Sequence, residues 1–284
     1  MARKIKMSSL VINIRVHPHP EGIYLELIRD IFRLKRPQKL SGDRYGLISS
    51  LREIDEEKGT VAGVLTTFLQ VEMDGTWFNE INLSDASEDD VAEIKIPPHI
   101  HPNRKQYFFF LRGHRLYLQN YYEGRWISAK QAEAFVNASM AEDKITEKYG
   151  TVSVTVEQSQ EALREIFNLE RIDEIKITLM PPNMDVWPDD FEEKVQNHMV
   201  ATNTKRLEFR YVAETGKSIV IDDDIEKVSK AGMSNGRVDV SGRDETGKVR
   251  RSSEDHPKVL QDSYDPDITG EWSAFQHVIS GDGN

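Results

Sequence analysis

The chain contains no cysteine. That excludes a disulfide scaffold, a thiolate metal site and a cysteine nucleophile. It also lacks any apolar run near the ~18 residues of a membrane-crossing helix. The basic start MARKIKMSSL leads into LVINIRV, which Arg15 interrupts. A secretory leader needs a longer apolar stretch and a small-residue cleavage site. A cytoplasmic protein with no membrane partner is therefore expected. There is no G-x-S-x-G elbow, so the residues suggest no nucleophilic triad. Excess positive charge is missing too: 37 Lys and Arg stand against 48 Asp and Glu, a net charge of −11. An acidic surface repels phosphates, which argues against non-specific nucleic-acid binding by the whole molecule. At 284 residues, 38% hydrophobic and 30% charged, the chain is neither collagenous nor disordered and fits one large domain or two ordinary ones.

The charge is unevenly spread. Residues 1–39 carry nine Lys or Arg and three Asp or Glu, a net of +6, which leaves −17 for the remainder. A basic N-terminal face is the ordinary reading of such a run.

Leu10, Ile12, Ile14 and Val16 recur with period two, so this segment is a strand with one core face. His17-Pro18-His19-Pro20 stops it. Tyr24, Leu27, Ile28, Ile31 and Phe32 follow helical spacing up to Pro37. Residues 43–52 and 60–71 read as strands, and acidic 84–93 as a loop or a short helix capped by Ser84 or Ser87. YFFFL (107–111) and RLYLQNYY (115–122) form a hairpin across a Gly turn. Ser128 with Gln131 is a capping box. Strands at 151–156, 174–180 and 207–212 then alternate with helices opened by Ser159, Pro188 and Asp222. A second hairpin, RVDVSG-RDETG-KVRRSS, follows Asn235-Gly236.

The sum is an α+β (mixed α/β) chain. It has antiparallel or mixed sheets, helices on one face and room for ferredoxin-like units. Residues 1–148 make an N-terminal α+β domain with the aromatic hairpin, 149–262 a βαβαβαββ domain and 263–284 a polar acidic tail. One sheet shared by both halves is the alternative.

Two phosphate-loop patterns fail on inspection. Gly216-Lys217-Ser218 lacks the first Gly, since Tyr211 stands there, and Gly242…Gly247-Lys248 is followed by Val249. His17-Pro-His19 and His99-Ile-His101 each place two imidazoles on one side of an extended backbone, the only combination that suggests a divalent metal by imidazole. Otherwise no cofactor is expected. Nucleases hold a metal with an acid and [DE]-x-K, and Glu174-Ile175-Lys176 and Glu93-Ile94-Lys95 match the tripeptide. So frequent a pattern in a chain this rich in Glu and Lys is ordinarily surface ion pairing. The hairpin is more distinctive. Arg104, Lys105, Arg112, His114, Arg115 and Arg125 interleave with Tyr107, Tyr117 and Trp126 against one acid, Glu123. Cations with sheet-borne rings suit a protein partner or single-stranded nucleic acid, although one face of the ribbon has to be core.

Several stretches carry a resemblance together. They are SGDRYGLISSL (41–51), Trp77-Phe78-Asn79, IPPHIHPNRKQYFFFL-RGHRLYL (96–118), SAKQAEAFV (128–136), ITLMPPN (177–183) and MSNGRVDVSGRDETGK (233–248). Over residues 8–258 the chain resembles an uncharacterised prokaryotic family of the kind found near mobile elements and phage-defence genes. The resemblance implies a component of a defence or toxin–antitoxin-like module and carries over no site. Three functions follow as expectations. The first is a non-enzymatic binding or regulatory protein, with self-association left open, that uses the basic aromatic hairpin. The second is a metal-dependent nuclease or phosphoesterase using the H-x-H and E-x-K groups. The third is an acidic nucleic-acid mimic.

Overall fold

The computed structural model describes residues 4–16, 20, 22–55, 59–92, 94–180 and 190–282. Its larger sheet forms around β1 (Ile5–Arg15). β8 (Arg115–Tyr122) lies on one side of β1, followed by β7 (Lys105–Arg112), β4 (Thr60–Leu69), β3 (Arg44–Asp55) and β2 (Gln38–Ser41). On the other side β1 holds two short strands end to end. β15 (Val259–Tyr264) pairs with Ile5–Leu10, and β10 (Ser153–Val156) pairs with Ile12–Arg15. β9 (Arg125–Trp126) adds to β8. All of these pairings are antiparallel.

β1 is buried on both faces, not one. Leu10, Ile12, Ile14 and Val16 enter a core with α1 (Ile23–Leu34), α3 (Ala129–Met140) and α4 (Asp143–Tyr149). Ile5, Met7 and Val11 enter a second core with Tyr117, Tyr122 and α8 (Glu271–Ser280). The expectation of helices on one face is corrected here: the C-terminal segment, read as a polar tail, folds into α8 and covers the opposite face. Its Ala274, Phe275, Val278 and Ile279 are all buried. α1 and α3 form as their spacing predicts, and Ser128 with Gln131 makes a complete capping box on α3.

The smaller sheet runs β12 (Leu207–Val212), β11 (Arg171–Leu179), β13 (Gly236–Asp244), β14 (Gly247–Ser252), again antiparallel. Ile172, Ile175, Ile177, Val238 and Val240 pack against α5 (Ala162–Phe167) and α7 (Asp223–Asn235). Asp222 caps α7 by accepting from Ile225 N at 2.8 Å. A ferredoxin-like unit would place a third strand between two joined by a helix. Here β11 and β12, joined through α6 (Asp190–Ala201), are direct neighbours, but β12 and β13, joined through α7, have β11 between them, so one split strand–helix–strand unit of this kind forms. The Gly242–Lys248 motif is the turn between β13 and β14, where Asp244 Oδ1 accepts from Thr246 N and Oγ1.

β10, from the sequence-defined 149–262 region, and β15, which begins in that region and ends at Tyr264, belong to the larger sheet, so the chain returns to it twice. Among the described residues no helix is long and apolar enough to cross a membrane.

Gly236 sits where β13 closes on β11. A Cβ there would lie 1.9 Å from Thr178 O, a backbone atom that cannot swing away. Gly46→Ala would first meet the mobile Leu40 Cδ1 at 2.9 Å. Urea unfolding of Gly236→Ala is expected to show a loss of roughly 3 kcal/mol, and Gly46→Ala a smaller one. Equal losses would mean that the β11–β13 contact is not as close as described.

Candidate functional site

The hairpin β7–β8 is built as expected, but its cations and rings are not at the surface as a set. Tyr107 and Tyr117 are fully buried, on opposite faces. Tyr107 OH donates to Trp126 O at 2.9 Å. His114 is buried at the turn with its ring edge toward Tyr24. Phe108 and Phe110 lie against Trp272 of α8, with centroids 5.2 and 6.5 Å away.

Each half-buried arginine of the hairpin meets the C-terminal segment. Arg125 Nη2 donates to Glu271 at 2.7 Å, Arg125 Nη1 to Gln106 O at 2.7 Å, and the guanidinium lies over the Tyr122 ring. Arg115 Nε donates to the buried Glu157 at 2.8 Å, and its Nη1 is 3.7 Å from Asp282. Arg112 Nη2 donates to Tyr117 OH at 3.0 Å and to Asp282 O at 3.4 Å. Tyr117 OH in turn donates to Asp282 Oδ2 at 2.9 Å. Lys258 Nζ completes the group, 2.6 Å from Asp282 and 3.3 Å from Glu157. The expected solvent-facing ribbon is thus an internal interface, because the acids of 157, 271 and 282 neutralise it. Of the expected contact residues, Arg104 and Trp126 are exposed and Lys105 is half-buried.

Burial pushes the Asp282 carboxyl up, but hydrogen bonds from Lys258 and Tyr117 and the charges of Lys258 and Arg115 outweigh it. The group is held below the usual carboxylate range. Burial disfavours the Arg115 and Lys258 cations, and the same acids reverse that, raising both.

The metal expectations do not assemble among the described residues, where no three His, Asp or Glu gather. His17 and His19 lie outside those residues. His99 is exposed, and His101 stacks on Phe68, centroids 4.4 Å apart. Glu174 and Lys176 are held in cross-strand ion pairs with Arg210 (2.9 Å) and Glu208 (3.0 Å). Glu93 lies outside the described residues.

What the sequence reading missed is the excursion between β4 and β7. Those strands are antiparallel neighbours, yet residues 70–104 separate them. The excursion has eight Asp or Glu and two Lys or Arg, a net of −6. A ribbon, β5 (Phe78–Asn79) with β6 (Ser84–Asp85), and a short helix α2 (Glu88–Ala92) order it locally. Asn79 Oδ1 accepts from Ile81 N and Asn82 N at the tip, and Ser87 and Asp90 cap each other reciprocally. Its base is fastened by Leu69 N to Pro102 O (3.0 Å), Gln70 N to Asp43 O (2.9 Å) and the Phe68–His101 stack. Four of the eleven large apolar side chains exposed among the described residues are here: Phe78 (66%), Ile81 (87%), Leu83 (77%) and Ile100 (62%). The signal was present as Trp77-Phe78, Ile81 and Leu83 inside an acidic stretch.

A family model described as a domain of unknown function (DUF4747) matches residues 5–280, nearly the whole chain. The expectation of an uncharacterised family therefore holds, over a longer span than 8–258. No curated protein matches.

Asp282 contributes stability that is present above its unfolded pKa, about 3.9, and is lost as pH falls through its lower folded value. Asp282→Ala leaves Arg115 and Lys258 with Glu157 alone. The expected cost at pH 7 is about 2 kcal/mol, below that of a fully buried pair because both cations are partly exposed. Denaturant unfolding between pH 7 and pH 3 checks this. A variant as acid-sensitive as the parent below pH 4 would rule the assignment out.

Proposed function

The chain belongs to this family of unknown function, and we propose that it is a non-catalytic binding component that docks a basic protein partner through the 70–104 excursion. It keeps the defence-module setting that the sequence resemblance implies. The observation that carries the reading is the pairing of strong negative charge with exposed apolar side chains close together in sequence on a fastened protrusion. Large apolar side chains exposed together mark interaction sites. Charge of one sign around them selects the opposite sign in the partner and speeds encounter.

The choice of a protein over nucleic acid rests on sign. Of the hairpin cations that favoured nucleic acid, Arg115 and Arg125 are engaged with Glu157, Glu271 and Asp282, whereas the exposed protrusion is acidic and would repel phosphates. The reading retains one element of the mimic expectation, an acidic surface facing a basic groove, and adds the apolar anchors a polyanion lacks.

The test is a photo-reactive amino acid at Ile81 of the full chain, expressed in its native cell. A discrete adduct with one basic protein is expected. Phe78→Ser with Leu83→Ser should weaken that complex at least about tenfold, as for loss of central apolar anchors. Salt should weaken it too. Adducts to nucleic acid, no discrete adduct, or an adduct indifferent to the double substitution would each refute the proposal.

A further inference from the structure

A cleft of about 70 Å³ opens where the two sheets meet. Lys130 and Glu133 of α3, Thr155 of β10, Gln158 of the segment leading to α5, Gly236 of β13 and Glu254 of the 3-10 turn Ser253–Asp255 line it. Gln158 is only 6% exposed. Its Nε2 donates to Gly236 O at 2.8 Å, which fixes the amide orientation. Its Oε1 is then buried with no protein partner, and Thr155 Oγ1 is buried without one as well. An unpaired buried acceptor costs about 1–3 kcal/mol, so two in one place call for an occupant that offers positive charge or a proton.

The carboxylates narrow the choice. Burial and the charge of Glu254 push the Glu133 carboxyl up, with Lys130 opposing. Glu254 accepts from Arg237 Nη1 at 3.2 Å, but Arg237 also has Asp239 at 3.0 Å and can be held there alone. Apart from the Lys130 amine, the polar side-chain groups of the lining offer hard oxygens, with neither imidazole nor thiolate among them. Such a set suits calcium, which accepts irregular shells of carboxylate, amide oxygen and water, better than magnesium, which demands a near-ideal octahedron. The volume exceeds the ~10–15 Å³ that a single water needs, so a cation with water fits.

We propose that this cleft binds a hard divalent cation of the calcium class, through Gln158 Oε1 and the carboxylates of Glu133 and Glu254, with water completing the shell. The ion would tie α3 on the larger sheet to the start of the smaller one. The site is remote in sequence from the excursion, and its test does not depend on the docking proposal.

Calorimetric titration of the full chain with calcium chloride, and separately with magnesium chloride, tests it. One calcium per chain is expected, with Kd on the order of 10⁻⁴ to 10⁻³ M, as for weak calcium modules. Magnesium should bind more weakly, and saturating calcium should raise the melting temperature. Glu254→Gln is exposed and keeps the fold testable. It and Glu133→Gln should each weaken binding about tenfold or more, the scale of a damaged metal shell. Glu245→Gln, in the distant β13–β14 turn, should leave affinity unchanged. No saturable heat at about ten times that concentration, equal affinity in the Glu133 and Glu254 variants, or equal stabilisation by any salt would overturn the proposal and leave water as the occupant.

Discussion

β1 is a strand with two insides. Met7, Leu10, Val11, Ile12 and Ile14 are all essentially inaccessible, and they point to opposite faces. A strand of that kind needs a cover on each side of its sheet. α1, α3 and α4 supply one. The other has to come from elsewhere in the chain, and it comes from the far end, as α8. The same strand holds β15 and β10 on its outer edge, so the N-terminal residues organise a segment about 140 positions away and another more than 240 positions away.

That constraint explains the fate of the basic hairpin. Once α8 lies across Tyr117 and Tyr122, the polar groups at its rim are brought beside Arg112, Arg115 and Arg125. Cations in such surroundings require acids, and Glu271 and Asp282 provide them with Glu157. The covering helix is held by apolar contact: burial of Phe275, Val278 and Ile279 contributes about 6 kcal/mol at 1.5–3 per side chain, before the entropy of ordering the helix is set against it. The ion pairs, half-exposed, add less. A ligand competing for the hairpin would have to replace the apolar contact, which a phosphate chain cannot do.

Local rules were legible where one residue decides the outcome. Ser128 with Gln131, Asp222 before α7 and the alternation of β13 and β14 all predicted their elements. The second face of β1 was harder to see. Ser8, Ser9 and Asn13 look like surface positions in sequence, yet all are buried: Ser8 donates to Asn120 Oδ1 and Ser9 to Leu10 O. α8 was hidden by composition. Trp272, Phe275, Val278 and Ile279 have helical spacing, but the acidic residues before them, Asp265, Asp267 and Glu271, made the region read as a tail. The ion pairs across 115, 157, 258 and 282 depend on tertiary proximity alone, and no local pattern announces them.

The excursion is informative because nothing in the sheet demands it. β4 and β7 pair antiparallel along their length, and a turn of a few residues would join them. Closing a loop of residues 70–104 instead costs only about 2 kcal/mol more, since the penalty grows with the logarithm of length. Its residues are therefore free of the core's packing requirements, and a merely solvated loop would be polar throughout. This one orders its tip with Asn79, fastens its base to Phe68 and Asp43, and turns Phe78, Ile81 and Leu83 to water within a net charge of −6. Exposed apolar groups on an ordered ribbon invite self-association. The surrounding acids oppose this between like copies, while attracting a surface of opposite charge. On the proposed reading, the arrangement would separate a basic partner from the chain's own copies by electrostatics and leave affinity to the apolar anchors.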